Sequence, residues 1–256
     1  MKWPRITVVT PSYNQARFLR ATLKSIHDQK YPNLEHIVMD GGSTDGSVEI
    51  IQEFENHIAY WVSERDKGQT DALIKGFSRA TGEILAWLNS DDLYEPQTLW
   101  EVADVFTRYP EVQFIYGDAL WIDTEGKVLK PKKEIPFNWF IWLYDHNYIP
   151  QPSAFWRREL YEAVGGLDPR FDLAMDADLW ARFAERKKPV HIRRIWSRMR
   201  LYPEQKNQRL RALSNQEDEI IRKRYLVDSF PFQRRLKRVA AKVARVSWKL
   251  LWGCYW

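Results

Sequence analysis

The sequence predicts an α/β fold: a mostly parallel central sheet flanked by helices, followed by a basic helical extension. Three observations predict it. Apolar, β-branched runs alternate with amphipathic helical patterns along the first half of the chain. Polar loops rich in Asp, Gly and Ser follow those runs one after another. From Phe230 onward there are seven Lys and Arg and no acid, a composition unlike that of the body.

The elements follow in order. Ile6 to Thr10 reads as a buried strand, broken by Pro11-Ser12-Tyr13-Asn14. Phe18, Leu19, Leu23 and Ile26 recur at helical spacing and predict a helix from Phe18 to Gln29. Glu35 to Asp40 is a second strand. The loop Gly41 to Gly46 and a helix from Ser47 to Glu55 follow. Tyr60 to Ser63 is a short strand, Gln69 to Arg79 a helix, and Ile84 to Leu88 a fourth strand ending at Asn89-Ser90-Asp91-Asp92. Pro96 to Tyr109 reads as a helix.

The second half is less regular. Phe114 to Gly117 and Ala119 to Ile122 look like strands, with a turn at Asp123 to Gly126. Aromatics crowd Pro136 to Pro150; such residues are core material first and a sugar platform second. Ser153 to Trp156 reads as a strand, and Arg158 to Val164 and Asp176 to Glu185 as helices.

Bulk properties exclude several classes. Hydrophobic residues make up 45%, enough for a core and too many for a disordered chain. The single cysteine, Cys254, excludes a disulfide framework and suggests a reducing compartment. The N-terminus runs directly into a strand pattern without a signal-like apolar stretch, and no run suits a spanning helix. Net charge is +5, but residues 230–256 carry +7, so the remainder stands at −2. The basic balance therefore belongs to a tail, and a nucleic-acid-binding body is not expected.

In an open parallel sheet, ligands bind beyond the carboxyl ends of the strands. The loops after Thr10, Asp40, Ser63 and Leu88 all belong there. They bring the carboxylates Asp40, Asp66, Asp91 and Asp92, which need partners once removed from water. A divalent cation with a diphosphate would supply them. Hard oxygen ligands favour Mg2+ or Mn2+. Asp91 and Asp92, leaving one strand, point different ways, so one can reach a metal while the other meets a ribose.

Five segments occur in order: Thr10-Pro-Ser-Tyr-Asn-Gln15, Met39-Asp-Gly-Gly-Ser-Thr-Asp-Gly46, Glu64-Arg-Asp-Lys-Gly-Gln69, Asn89-Ser-Asp-Asp92 and Met175-Asp-Ala-Asp-Leu-Trp180. Together the chain, over roughly residues 4–200, resembles the family-2 inverting glycosyltransferases of GT-A fold that build bacterial surface polysaccharides. The resemblance implies a Rossmann-like catalytic domain over 1–205, with a nucleotide-sugar half to about 117 and an acceptor half after it. Residues 206–256 would then form the helical tail. It implies a nucleoside-diphosphate sugar donor, read as a UDP-sugar, and a Mn2+ or Mg2+ cofactor. Pro11 and Tyr13 would line the base pocket, and Asp40 would bond the base edge. Asp66 and Gln69, within Asp-Lys-Gly-Gln, would help hold base or ribose. Asn89 would belong to the nucleotide-sugar site, Asp91 would contact the ribose, Asp92 would bind the metal, and Asp176 would be the general base. The acceptor would be a hydroxyl of a glycan or a lipid-linked glycan.

Two departures from the family pattern matter. A His often follows the base-bearing helix; here Arg198 to Tyr202 stands in its place. Arg200 is then expected to meet the diphosphate as a fixed cation, with Tyr202 as the other occupant of that region. The base motif is usually Glu-Asp, here Met175-Asp176, which makes Asp178 a rival. Other readings remain: Asp91-Asp92 or Asp176 as helix caps, Gln151-Pro152 as an acceptor-side segment or a plain loop, transfer to polyprenyl phosphate, or a non-catalytic sugar-binding domain. The tail predicts a helix from Phe232 to Leu251. Leu236, Val239, Ala240, Val243, Val246, Ser247 and Leu250 lie on one face and the cations on the other, with Trp248, Trp252, Tyr255 and Trp256 beside them. That suits either a peripheral helix on an anionic membrane, at the cytoplasmic face, or one packing its apolar stripe on the body.

Overall fold

The computed structural model describes residues 3–226 and 230–254. Strands β1 (Ile6–Ser12), β2 (Leu34–Asp40), β3 (Tyr60–Ser63) and β4 (Ile84–Trp87) alternate with helices α1 (Ala16–His27), α2 (Ser47–Glu53) and α3 (Gln69–Arg79). The four strands pair in parallel in the order β3-β2-β1-β4. β1 runs two residues further than the sequence suggests. Pro11 is accommodated because β4 pairs with β1 only as far as Val9↔Trp87, which leaves that flank open beyond it.

The second half completes one mixed sheet. β5 (Leu93–Tyr94), α4 (Thr98–Arg108), β6 (Phe114–Ile122) and β7 (Val128–Lys132) come first. Next are α5 (Trp139–Tyr144), β8 (Ala154–Arg157), α6 (Arg158–Ala163), α7 (Met175–Arg186) and β9 (Val190–Arg200). Beyond β4 the order is β8-β6-β9-β5, with β7 beside β6. β8 is antiparallel to both β4 and β6, and β5 to β9, whereas β6 and β9 are parallel. The sheet is thus parallel in its first half and mixed in its second. The two strands read at 114–122 are one, its register against β9 shifting at Asp118.

Successive residues on each strand feed opposite faces. Val9, Leu85, Trp87, Phe114 and Trp156 pack with α3, α5 and α7. Ile6, Val8, Ile84, Ala86, Ile115 and Phe155 pack with α1 and α4. Trp87 stacks on Trp180 of α7, ring centroids 5.6 Å apart, which seats α7 against the end of β4. Trp142, Tyr144 and Tyr148 are buried, so these aromatics of the 136–150 stretch build the core rather than an open sugar platform.

Three helices close the chain: α8 (Lys206–Arg209), α9 (Arg211–Lys223) and α10 (Pro231–Leu251). α9 packs on α7, and α10 on α5. α10 meets the body through Ala241, Ala244 and Trp248, and through its cations. Lys249 pairs with the buried Glu134 at 2.7 Å, Arg234 with Glu219 at 2.7 Å, and Arg245 with Asp145. The apolar stripe of the helix is turned away from the body, which rules out the packing of that stripe on the domain. Tyr255 and Trp256 lie outside the described residues.

Gly117 marks a close approach of β6 and β9. A Cβ there would stand 2.6 Å from the Trp196 ring and 2.8 Å from the Arg194 carbonyl. Gly117→Ala is expected to destabilise the fold by about 1–3 kcal/mol, as overpacking does. The urea unfolding midpoint measures it, and an unchanged midpoint would contradict this account of the contact.

Candidate active site

The site assembles at the carboxyl ends of β1, β2, β3 and β4. Asp40 ends β2 and is buried. Its Oδ2 accepts from the backbone N–H of Gly42 (3.1 Å) and Ser43 (2.8 Å) and from the Ser63 hydroxyl (2.6 Å), while Oδ1 accepts from the Ser43 hydroxyl (2.5 Å). Asp40 therefore shapes the 41–43 loop, and only Oδ1 retains a free lone pair for a ligand. That loop is sewn to the end of β1: Asn14 N–H donates to Ser43, and Thr44 N–H donates to the Asn14 side chain. Asp45 Oδ2 accepts from Ala16 N–H at the start of α1. Pro11 is buried within β1, whereas the Tyr13 ring is 61% exposed at its end with no ring packed against it.

Asp66 lies against the same loop. A Cβ on Gly41 would come within 2.7 Å of Asp66 Oδ2, so only glycine admits this approach. Burial, followed by the charges of Asp71 and Asp40, raises the Asp66 pKa against the pull of the Gly68 N–H. A short relay then leads across the sheet. Gln69 donates to Asn89 (2.8 Å), Asn89 to Gln151 (3.1 Å), and Gln151 to the Trp87 carbonyl (2.8 Å). The Gln151-Pro152 turn is thus tied to the end of β4.

The adjacent acids after β4 have unlike surroundings. Asp92 is 5% exposed, and its Oδ1 accepts from the Arg200 backbone N–H at 2.9 Å. Burial, with Asp91 beside it, pushes its pKa well above the usual carboxylate range, while Arg200 and Asn89 pull the other way. Thr22 on α1 fixes the turn, its hydroxyl reaching the Ser90 and Asp92 carbonyls at 2.9 and 2.8 Å. Asp91 is only half-buried. Its Oδ2 accepts from the Tyr202 hydroxyl at 2.9 Å, with the Gln205 amide 3.4 Å away.

Arg200 departs from the expectation of a cation at the diphosphate. Its side chain is buried, 3% exposed, and lies over the Phe18 ring at 4.5 Å. Three of its N–H bonds go to the carbonyls of Asp91, Asp123 and Thr124. It locks the β6–β7 turn to the Asp91 backbone and is spent in doing so. The side chains after β9 that reach Asp91 are instead those of Tyr202 and Gln205.

Asp176 stands in the first turn of α7. It accepts from Asn147 Nδ2 at 3.0 Å and from Ala177 N–H at 2.7 Å, and no cation pairs with it among the described residues. Burial pushes its pKa up to about 6; the Asp218 charge adds to this and the two hydrogen bonds oppose it. Asp178 is excluded as a rival. It is fully buried and clamped between Arg182 at 2.6 Å and Arg224 at 2.5 Å. The loop that delivers Asp176 is held from outside the motif. Glu217 of α9 accepts the N–H groups of Asp172, Leu173 and Ala174. Thr70 of α3 donates to the Phe171 carbonyl at 2.7 Å, which brings this loop beside the Asp66–Gln69 segment.

Among the described residues, no group of three or more His, Cys, Asp or Glu side chains could hold a metal by itself. Two acidic neighbours fit a hard cation that takes its remaining oxygens from a diphosphate and water. Two buried polar atoms near this corner lack partners, Ser12 Oγ at the end of β1 and Gln205 Oε1 beside Asp91. A cavity of about 330 Å3 lies elsewhere, at the seam of α5, α9 and α10, and shares none of the strand-end carboxylates.

Comparisons with known proteins give the family and the fold. A model described as glycosyl transferase family 2 matches residues 7–165. An uncharacterised glycosyltransferase of Mycobacterium tuberculosis is 32% identical over 192 residues, covering 74% of this chain and 72% of its own. A PGL/p-HBAD biosynthesis glycosyltransferase of Mycobacterium bovis is 30% identical over 182 residues, covering 70% and 69%. Among solved structures, S. aureus TarS 1–349 in complex with UDP superposes with a TM-score of 0.66 at 17% identity, covering 85% of this chain and 64% of that one. The mannosyltransferase PcManGT of Pyrobaculum calidifontis, in complex with GDP-Man and Mn2+, gives 0.65 at 19% identity, covering 94% and 70%. At such identities the structural likeness is one of fold, and this chain spans only 39% of the longer TarS chain. The fold is of the GT-A type, and the chain belongs to glycosyl transferase family 2.

The raised pKa of Asp176 has a consequence for stability. Its folded value, about 6, lies above the ordinary 3.8, so folding takes up a proton between those values. Stability is then greatest below that window and falls as pH rises through about 6. Asp176→Asn is expected to raise the melting temperature by a few degrees at pH 8 and by little at pH 4. Calorimetry at both pH values checks it; a gain independent of pH would contradict the assigned environment.

Proposed function

We propose that the chain transfers a sugar from a nucleoside-diphosphate sugar, of the uridine type, to a hydroxyl of a glycan or lipid-linked glycan, with inversion. The observation that carries the reading is Asp176: a carboxylate with a pKa of about 6 and no cationic partner among the described residues, at a helix start whose preceding loop is bonded to α3 beside the Asp66–Gln69 segment. That pKa leaves it ionised near neutrality yet basic enough to take a proton in the transition state. The donors named for TarS and PcManGT, UDP-GlcNAc and GDP-Man, support the substrate class.

The exposed Tyr13 ring stacks on the base, with Pro11 beneath it. Asp66, with the loop shaped by Asp40, holds the base or ribose edge. Gln69 and Asn89 orient the sugar side of the cleft. Asp91 is the carboxylate that faces the diphosphate and its cation, aided by the Gln205 amide oxygen. Asp92, deeper, anchors the turn and β9. This assignment exchanges the roles that the sequence suggests for the pair, because Asp91 is the more open to the cleft. Mn2+ or Mg2+, when bound, supplies neutralisation of the charge that develops on the leaving diphosphate. The acceptor oxygen attacks the anomeric carbon opposite the leaving oxygen, and its proton passes to Asp176. The C–O bond to phosphate breaks, and its electron pair leaves with the nucleoside diphosphate. One displacement inverts the configuration and needs no covalent nucleophile.

A thermal-shift panel of nucleotides and nucleotide sugars, with and without Mn2+, tests the donor. A nucleoside diphosphate is expected to stabilise the protein, more so with Mn2+, and Asp91→Asn should remove the metal-dependent part. Indifference to every nucleotide would overturn the reading. In transfer assays, Asp176→Asn should keep donor binding and lower kcat by roughly 10²–10⁴-fold, the usual worth of a positioned base. The wild-type rate should rise with pH through about 6, as the base loses its proton. A mild effect of this substitution would instead indicate an acceptor, such as a phosphate, that needs no base.

A further inference from the structure

We propose that the outward face of α10 seats the protein on an anionic bilayer surface. The inference goes beyond the transferase reading and does not depend on it. α10 has 21 residues, so it is about 31 Å long. Phe232, Leu236, Val239, Val243, Leu250 and Leu251 are each more than half exposed along it. They recur at helical spacing, so they form one stripe. No helix of the described residues is long and apolar enough to cross a membrane.

An amphipathic helix of a globular protein ordinarily turns its apolar stripe inward. Here the orientation is reversed. Arg234, Arg245 and Lys249 reach body acids, Ala241 is buried, and the stripe is left outside. Ion pairs thus hold the helix in the one orientation that exposes its apolar side. A contiguous exposed stripe of this kind marks a contact surface.

Charge selects the occupant. Arg235 and Lys242 are exposed beside the stripe, Arg238 next to them already reaches Glu219 at 3.5 Å, and α10 contains no acid. In a two-fold contact between copies, each stripe would bring these cations against their own counterparts with no acid to answer them. A bilayer meets both features at once. Its acyl boundary takes the stripe, and its anionic headgroups take the cations.

Flotation of the full chain with two kinds of vesicle tests this: phosphatidylcholine alone, and phosphatidylcholine mixed with phosphatidylglycerol. The chain is expected to float with the anionic vesicles and far less with the neutral ones, the difference shrinking as salt rises. Val243→Ser/Leu250→Ser leaves charge and the body-facing Ala241, Ala244 and Trp248 untouched, so the unfolding midpoint should hold while vesicle binding falls roughly tenfold or more. Arg235→Gln/Lys242→Gln should weaken binding to the anionic vesicles by roughly tenfold. Absence of flotation with anionic vesicles, or flotation unaltered by the serine pair, would overturn the proposal. So would a dimer in light scattering that the serine pair abolishes, since the face would then belong to a second copy.

Discussion

Two carboxyls leaving one strand end, one buried and one half-buried, set the main constraint on this structure. Asp91 and Asp92 repel each other, and burial penalises the charge on Asp92 further. The fold answers with fixed dipoles. The Arg200 backbone N–H reaches Asp92, and the Tyr202 hydroxyl reaches Asp91. Both donors belong to the end of β9 and the residues after it. β5 is only two residues long, yet its pairing with Ser197 and Arg198 brings that end to the acids. The strand order β4-β8-β6-β9-β5 leads away from β4 and then returns beside the loop that follows it. The mixed half of the sheet can be understood as the structure that closes this corner.

The first half of the fold is legible because its signals are local. β3 and α3 fall where the patterns place them, and β1, β2, β4, α1 and α2 differ by a few residues at their ends. Each has a run of apolar residues whose period matches the element. β9 is not legible. Its sequence holds His191, Arg193, Arg194, Arg198 and Arg200, and several of its residues stay exposed. It is a strand because β6 supplies a partner along its length, and that information lies elsewhere in the chain. β7 contains Pro131 and two lysines at a sheet edge, the composition of a strand that must not invite another. α10 is legible as a helix, but a helical wheel cannot tell which face meets the body. Glu134, Asp145 and Glu219 decide that, and they are far away in sequence.

The candidate site divides along the same line. Acids that end strands are visible in a sequence because strand ends are visible. What each acid does depends on long-range partners. Asp176 and Asp178 sit two residues apart on one helix, and the local difference is that Asp178 has Arg182 one turn on, where Asp176 has Trp180. Arg224, 46 residues further on, occupies Asp178, while Asp176 meets only the neutral amide of Asn147 and a backbone N–H. The geometry leaves one carboxylate free to take a proton. Arg200 shows the converse. As a cation in a region where the family carries a ligand it invites a role at the diphosphate, but the carbonyls of a turn formed by residues 123 and 124 consume its donors. Thr22, Gln205 and Glu217 carry no motif signal, and only the packed structure brings them into the account.

α9 links the site to the tail, and this bears on how the two can be separated by experiment. Through Glu217 it holds the loop that leads into Asp176. Through Arg222 it holds the carbonyls of Trp142 and Leu143 on α5, the helix against which α10 packs. Asn147, which touches Asp176, follows α5 by three residues. Removing α10 would strip cations from Glu134, Asp145 and Glu219 and leave the first of these buried with one partner fewer. An uncompensated buried charge is costly, and the disturbance would pass through α5 to the segment that bears Asn147. Loss of activity on truncation would therefore not distinguish a membrane anchor from a brace for the segment that holds Asp176. Substitutions on the outward stripe avoid that confusion, because those side chains face away from the body.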